Sequence, residues 1–158
     1  MTPEETLLRR LAAEVSNELA SLEQLAAELA GAPSGSDTYS LRARGSILHD
    51  FYSGVERIFV RIAGELNGGV PQAERWHQEL LGDMVLDIPK VRPAVIDARL
   101  AKELGEYLRF RHVFRNVYGS GLEADRLQPL ADRLPATLAA FRERIGAFLS
   151  WMLGDSPA

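Results

Sequence analysis

From Ile47 to Leu66 the apolar residues Ile47, Phe51, Val55, Ile58, Phe59, Ile62 and Leu66 return at intervals of three and four. A strand needs alternate residues to be apolar, whereas a helix turning about 100° per residue gathers this spacing onto one side. The spacing predicts a helix over about Thr38 to Leu66, and a helix with one long apolar stripe has to bury it against something. Three further stretches supply the partners. Leu8, Leu11, Val15, Leu19, Leu22, Ala26 and Leu29 form the stripe of a first helix ending near Ala30. It opens with Thr2-Pro3-Glu4-Glu5, a capping-box pattern with Thr at the N-cap, Pro at the first position and Glu three residues after the cap. Leu100, Leu104, Tyr107, Leu108, Phe110, Phe114, Val117 and Tyr118 spread over one side of a central helix with Asp97 as its N-cap. Leu134, Leu138, Phe141, Ile145, Phe148 and Met152 mark the last.

The breaks between these stripes have loop chemistry. Gly31 to Asp37, Asn67 to Pro71, Asp87 to Pro93 and Gly119-Ser120-Gly121 are rich in Gly, Pro, Ser and Asp. A shorter helix is expected near Ala73 to Leu86, carrying Trp76, Leu80, Leu81 and Met84 inward. After the central helix, Asp125 to Arg133 should make about two turns before Pro135 forces a kink or a restart. No strand alternation of useful length and no internal repeat occurs. The expected fold is an all-α antiparallel bundle of four long helices plus one or two short ones, with residues 1–158 forming one domain.

Composition then removes several function classes. A formal net charge of −4 argues against coating nucleic acid through a bulk positive field, although a local basic patch is allowed. The absence of Cys excludes disulfides, thiolate metal sites and Cys nucleophiles. The three histidines, His49, His77 and His112, are far apart in sequence, so no zinc site is expected; no phosphate-binding glycine loop or nucleophile elbow occurs either. No cofactor is expected. The N-terminus lacks a signal-peptide pattern and no apolar run approaches membrane-spanning length, so a cytoplasmic protein without a membrane partner is expected.

The anomaly is Tyr107 to Tyr118, YLRFRHVFRNVY, where arginines and aromatics alternate. Arg111 falls in the middle of the apolar side, seven residues before Tyr118. Arginine keeps its proton, so a buried Arg111 needs a carboxylate or an anionic ligand. Two readings follow. In one, the arginines are structural and pair with Glu56 or Glu106. In the other, they serve RNA cleavage, where the neighbouring 2′-hydroxyl is the nucleophile and the protein need only move protons and stabilise phosphate charge. Arg111 offers a planar fork for phosphate, with Arg109 and Arg115 beside it. His112 lies three residues from both Arg109 and Arg115, and such neighbours disfavour imidazolium, leaving His112 able to accept a proton.

These residues resemble the HepT-like branch of the HEPN superfamily, bacterial toxin ribonucleases encoded beside a minimal nucleotidyltransferase antitoxin. The resemblance is carried by YLRFRHVFRNVYG at Tyr107 to Gly119, ILHDFYSGVERIFVRIA at Ile47 to Ala63, WHQELL at Trp76 to Leu81 and VRPAVI at Val91 to Ile96. The family motif is an arginine, four to six residues, a histidine and, two residues later, a tyrosine. Here the arginine is Arg111, the tyrosine is Tyr118, and the histidine place holds Asn116. Asn has no ionisable proton, although Arg-x-x-x-x-Asn is the other form of the motif. The resemblance implies a helical bundle that dimerises with its motifs in a shared cleft, metal-independent RNA cleavage, and neutralisation by a nucleotidyltransferase that AMPylates Tyr118. Asn116 would position substrate or water. The alternative function is a catalytically silent HEPN bundle that binds the nucleotidyltransferase; a generic helical scaffold is a third. The homodimer is expected through the second and central helices, because Arg44 and Arg111 lie within apolar stripes and suggest a partly wet face.

Overall fold

The fold is given by a computed structural model, which describes residues 1–116 and 121–155. Five helices follow one another: α1 (Pro3–Ala30), α2 (Thr38–Leu66), α3 (Trp76–Asp83), α4 (Ala98–Asn116) and α5 (Ala124–Met152). Among the described residues there is no strand, only an isolated antiparallel bridge between Ile88 and Arg92. The all-α bundle expected from the stripes is the observed architecture.

Local chemistry sets the helix starts. Thr2 accepts from the Glu5 amide at 3.1 Å while Glu5 accepts from the Thr2 amide at 2.6 Å, so the capping box is complete. Asp37 caps α2 by accepting from the Ser40 amide at 3.2 Å and the Ser40 hydroxyl at 2.6 Å. The Ser40 hydroxyl is the main reason that the Asp37 carboxyl ionises below its ordinary range. Asp97 caps α4 through the Leu100 amide at 2.7 Å.

Helix α2 is the centre of the bundle and packs against each of the other four. That placement buries more than one stripe. Leu41, Leu48, Tyr52 and Ala63 are buried together with Phe51, Val55, Ile58, Phe59 and Ile62, while Ile47 lies at the edge, half-buried. Close approach is secured by glycine where side chains would collide. A Cβ on Gly54 would come within 2.5 Å of Leu22 on α1, and one on Gly45 within 2.9 Å of the Phe114 ring on α4.

Two expectations about breaks are corrected. The short helix is Trp76–Asp83 rather than Ala73–Leu86, with Met84 buried just beyond its end and Trp76 half-buried. Helix α5 does not restart at Pro135; both Pro129 and Pro135 lie inside one helix. Each proline removes a single amide donor. Leu127, Leu130 and Leu134 before Pro135 and Leu138, Phe141 and Ile145 after it face the same core, and that burial holds the two halves in one register.

The chain between α3 and α4 is organised by Arg92, which sequence reasoning passed over. Its guanidinium is buried and donates to the Asn67 side-chain oxygen at 2.8 Å and to the carbonyls of Leu86 at 2.9 Å, Pro93 at 3.0 Å and Asp83 at 2.9 Å. Lys90 takes a left-handed φ of 66° at the tip of the turn that Arg92 closes. Arg92→Ala strands these acceptors, and urea unfolding is expected to show a loss of about 2–4 kcal/mol. Arg92→Lys should recover little, because one ammonium cannot span the fork; recovery to wild-type stability would contradict this account.

Tyr107 ties α4 to α5. Its ring meets Phe51 edge-on at 5.1 Å and its hydroxyl donates to the Leu130 carbonyl at 2.7 Å. Burial, more than any neighbour, pushes its ionisation up to about 12 from 10.0. An unfolded chain therefore releases this proton first, so the stabilisation is complete below pH 10 and is lost as pH rises towards 12. Chemical unfolding at stepped pH should show that decline in wild type and a shallower one in Tyr107→Phe.

Candidate active site

Arg111 points from α4 towards α2, and its exposure is only 3%. The carboxylate it requires is Glu56, itself 7% exposed. The two meet as a fork, Nη1 to Oε1 at 3.2 Å and Nη2 to Oε2 at 3.0 Å, with the Ser53 hydroxyl accepting from Nη1 at 3.3 Å. The Arg111 guanidinium carbon also stands 4.9 Å from the Tyr52 ring centre. Of the two carboxylates weighed for Arg111, Glu106 is engaged elsewhere, by Arg133 at 2.5 Å. The Tyr52 hydroxyl is buried with no hydrogen-bond partner among the described residues. Burial and the Glu56 carboxylate hold its ionisation above the ordinary tyrosine range, against the pull of Arg111.

His77, on α3, completes this group. Its Nδ1 lies 2.8 Å from Glu56 Oε2 and 3.1 Å from Arg111 Nη2. One nitrogen cannot donate to the carboxylate and accept from the guanidinium at once, so the shorter contact fixes the proton on Nδ1 and Arg111 is only a neighbour. The indole of Trp76 covers the imidazole with ring centres 3.8 Å apart.

The other sequence-derived candidates are exposed on α4. Taking about 100° per residue, Arg109, His112 and Asn116 fall within about 60° of arc, and Arg111 is about 100° or more away from each. The two ends of the Arg111–Asn116 motif therefore do not meet within one chain. Of the two readings of Arg111, pairing with a carboxylate and bearing on phosphate, the described geometry displays the pairing: Arg111 lies behind the surface against Glu56. Asn116 turns back on its own helix, its amide donating to the His112 carbonyl at 2.8 Å. Arg115 donates from Nε to His49 Nε2 at 3.1 Å, which leaves His49 Nδ1 to donate to Asp50 at 3.1 Å. Tyr118 lies outside the described residues. Arg44 likewise loses its role as a sign of a wet face. It is buried and donates to the carbonyls of Pro33, Gly35 and Ser40, holding the loop before α2.

Between α3 and α4 opens a cleft of about 580 Å³, with Glu74, Arg75 and His77 on one wall and Leu108, Arg109 and His112 on the other. Its size falls in the range of small-ligand sites. On the far side of Arg109 a cleft of about 590 Å³ runs between α4 and α5, but two of its arginines are compensated, Arg133 by Glu106 and Arg126 by Glu123 at 3.1 Å. The first cleft is where imidazoles and guanidinia converge.

A five-helix bundle with a buried Arg–Glu pair on its central helices and a cationic, histidine-lined cleft beside it defines the structural class. Residues 43–152 match the family described as HepT-like protein, and the chain belongs to that family. No curated protein and no solved structure matches it. The matched span contains α2 from Ala43 onward and α3 to α5, hence both walls of the cleft and the Arg111–Glu56 pair. No helix among the described residues is long and apolar enough to cross a membrane.

Proposed function

We propose that this chain is the RNA-cleaving subunit of a toxin–antitoxin pair, acting in the cytoplasm without metal or cofactor as a homodimer and neutralised by a nucleotidyltransferase. The observation that carries the reading is the cleft between α3 and α4, where His77 and His112 stand with Arg75 and Arg109 inside the matched family span. Cleavage through the 2′-hydroxyl needs proton carriers and cations around one phosphate, and these side chains are of those types. His112 carries a proton, Arg109 and Arg115 hold the RNA backbone, Asn116 orients substrate or water, and Arg111 supports the site from behind. Tyr118 is the residue that the nucleotidyltransferase modifies. The experiment is incubation of purified protein with bulk cellular RNA in the presence of chelator; fragments should accumulate, and their absence from well-folded protein overturns the reading.

A second reading is favoured by two observations. Arg111 is fully engaged by Glu56, and Asn116, in the motif's histidine place, bonds only to its own helix among the contacts described. These suit a silent bundle that binds the nucleotidyltransferase. Co-purification with that partner, together with no RNA cleavage, would select it.

A further inference from the structure

His77 is held more firmly than a half-exposed histidine needs to be. Its Nδ1 is anchored on a carboxylate that is itself locked by Arg111, and its ring is covered by Trp76. Nε2 is then the nitrogen left for chemistry, on the wall of a cleft whose opposite wall carries His112. The Glu56 carboxylate holds His77 through the Nδ1 hydrogen bond, while His112 has Arg109 beside it and no carboxylate among the hydrogen bonds described. Two imidazoles in one cleft with opposite surroundings are suited to opposite halves of a proton transfer.

We infer that His77 is the general acid and His112 the general base of phosphodiester cleavage in this cleft, an assignment that rests on the ribonuclease reading above. His112 takes the 2′-hydroxyl proton as O2′ attacks phosphorus and the P–O2′ bond forms. His77 gives its Nε2 proton to O5′ as the P–O5′ bond breaks, leaving a 2′,3′-cyclic phosphate and a 5′-hydroxyl. No redox partner or co-reactant enters the balance. Arg75 and Arg109 face the phosphoryl oxygens, and Glu56 with Arg111 positions His77 from behind. The acid function thus sits on α3, away from the motif place that Asn116 occupies.

The test uses two oligoribonucleotides that differ at the scissile bond, one with the natural bridging oxygen and one with a 5′-bridging sulfur, which leaves as thiolate without protonation. His77→Ala should slow cleavage of the oxygen substrate by about a hundredfold or more and leave the sulfur substrate near the wild-type rate. His112→Ala should slow both. The charged groups around His77 are Glu56 on α2, Glu74 and Arg75 just before α3, and Arg109 and Arg111 on α4; with these unchanged, His77→Ala should lose the alkaline fall of the pH–rate profile. His77→Asn, whose amide can replace the Nδ1 donor to Glu56, guards against a folding defect and should behave as His77→Ala. Folded His77 variants that cleave the oxygen substrate like wild type, or that lose both substrates equally, overturn the assignment alone. Wild type that cleaves neither substrate overturns the ribonuclease reading and the assignment with it.

Discussion

Arg111→Ala is expected to lower the unfolding free energy by about 3–5 kcal/mol, because it leaves the Glu56 carboxylate buried with its main countercharge gone. The pair itself need not be strongly stabilising, since desolvation offsets much of its attraction. The loss comes from breaking it one-sidedly. Replacing both partners by apolar residues, Arg111→Met with Glu56→Leu, should cost far less than the sum of the single changes. With Arg111 absent, Glu56 keeps His77 at 2.8 Å as its one ion-pair partner among the described residues. Urea unfolding of the two single variants and the double variant measures these quantities. A loss under about 1 kcal/mol for Arg111→Ala would mean that the guanidinium is exchanged for water at little cost, and the buried pair would not be what holds α4 to α2. The substitution also bears on activity. Because Arg111 reaches the cleft only through Glu56 and His77, Arg111→Ala should impair cleavage by loosening His77, with disturbed folding as its companion.

The second large effect concerns proton transfer. On bulk RNA with chelator present, His112→Ala should reduce cleavage by about a hundred- to ten-thousand-fold. Wild type should be active but modest. Asn116→His adds a third imidazole on the same exposed arc as His112 and should increase cleavage if the motif position still faces substrate. His112 and Asn116 are exposed, so neither substitution should move the unfolding midpoint by much. Full activity in His112→Ala would remove it from the reaction. Inactivity of both wild type and Asn116→His, from well-folded protein, would leave the silent binding partner as the remaining reading.

What the sequence determined by itself is local. Thr2, Asp37 and Asp97 start helices because their side-chain oxygens reach amides three residues on, and the three-four stripes decide which side of each helix is buried. Both act within one or two turns of chain, so the helix bounds of α1 and α2 and the need of Arg111 for an anionic partner were legible. Packing decided the rest. Pro135 lowers local helix preference by an amount that the burial of Leu134, Leu138 and Phe141 exceeds, which a window of a few residues cannot register. Glu56 rather than Glu106 meets Arg111 across 55 residues because Gly45 lets α2 and α4 approach closely. Arg92 lies in a connector without periodicity, so nothing nearby announces the carbonyls it gathers. For His77 the available signal was its place beside Trp76, which marks it as bordering the core. Its anchoring on Glu56 and its shared cleft with His112 arise from three helices meeting, and a hydrogen bond's geometry exists only once they do.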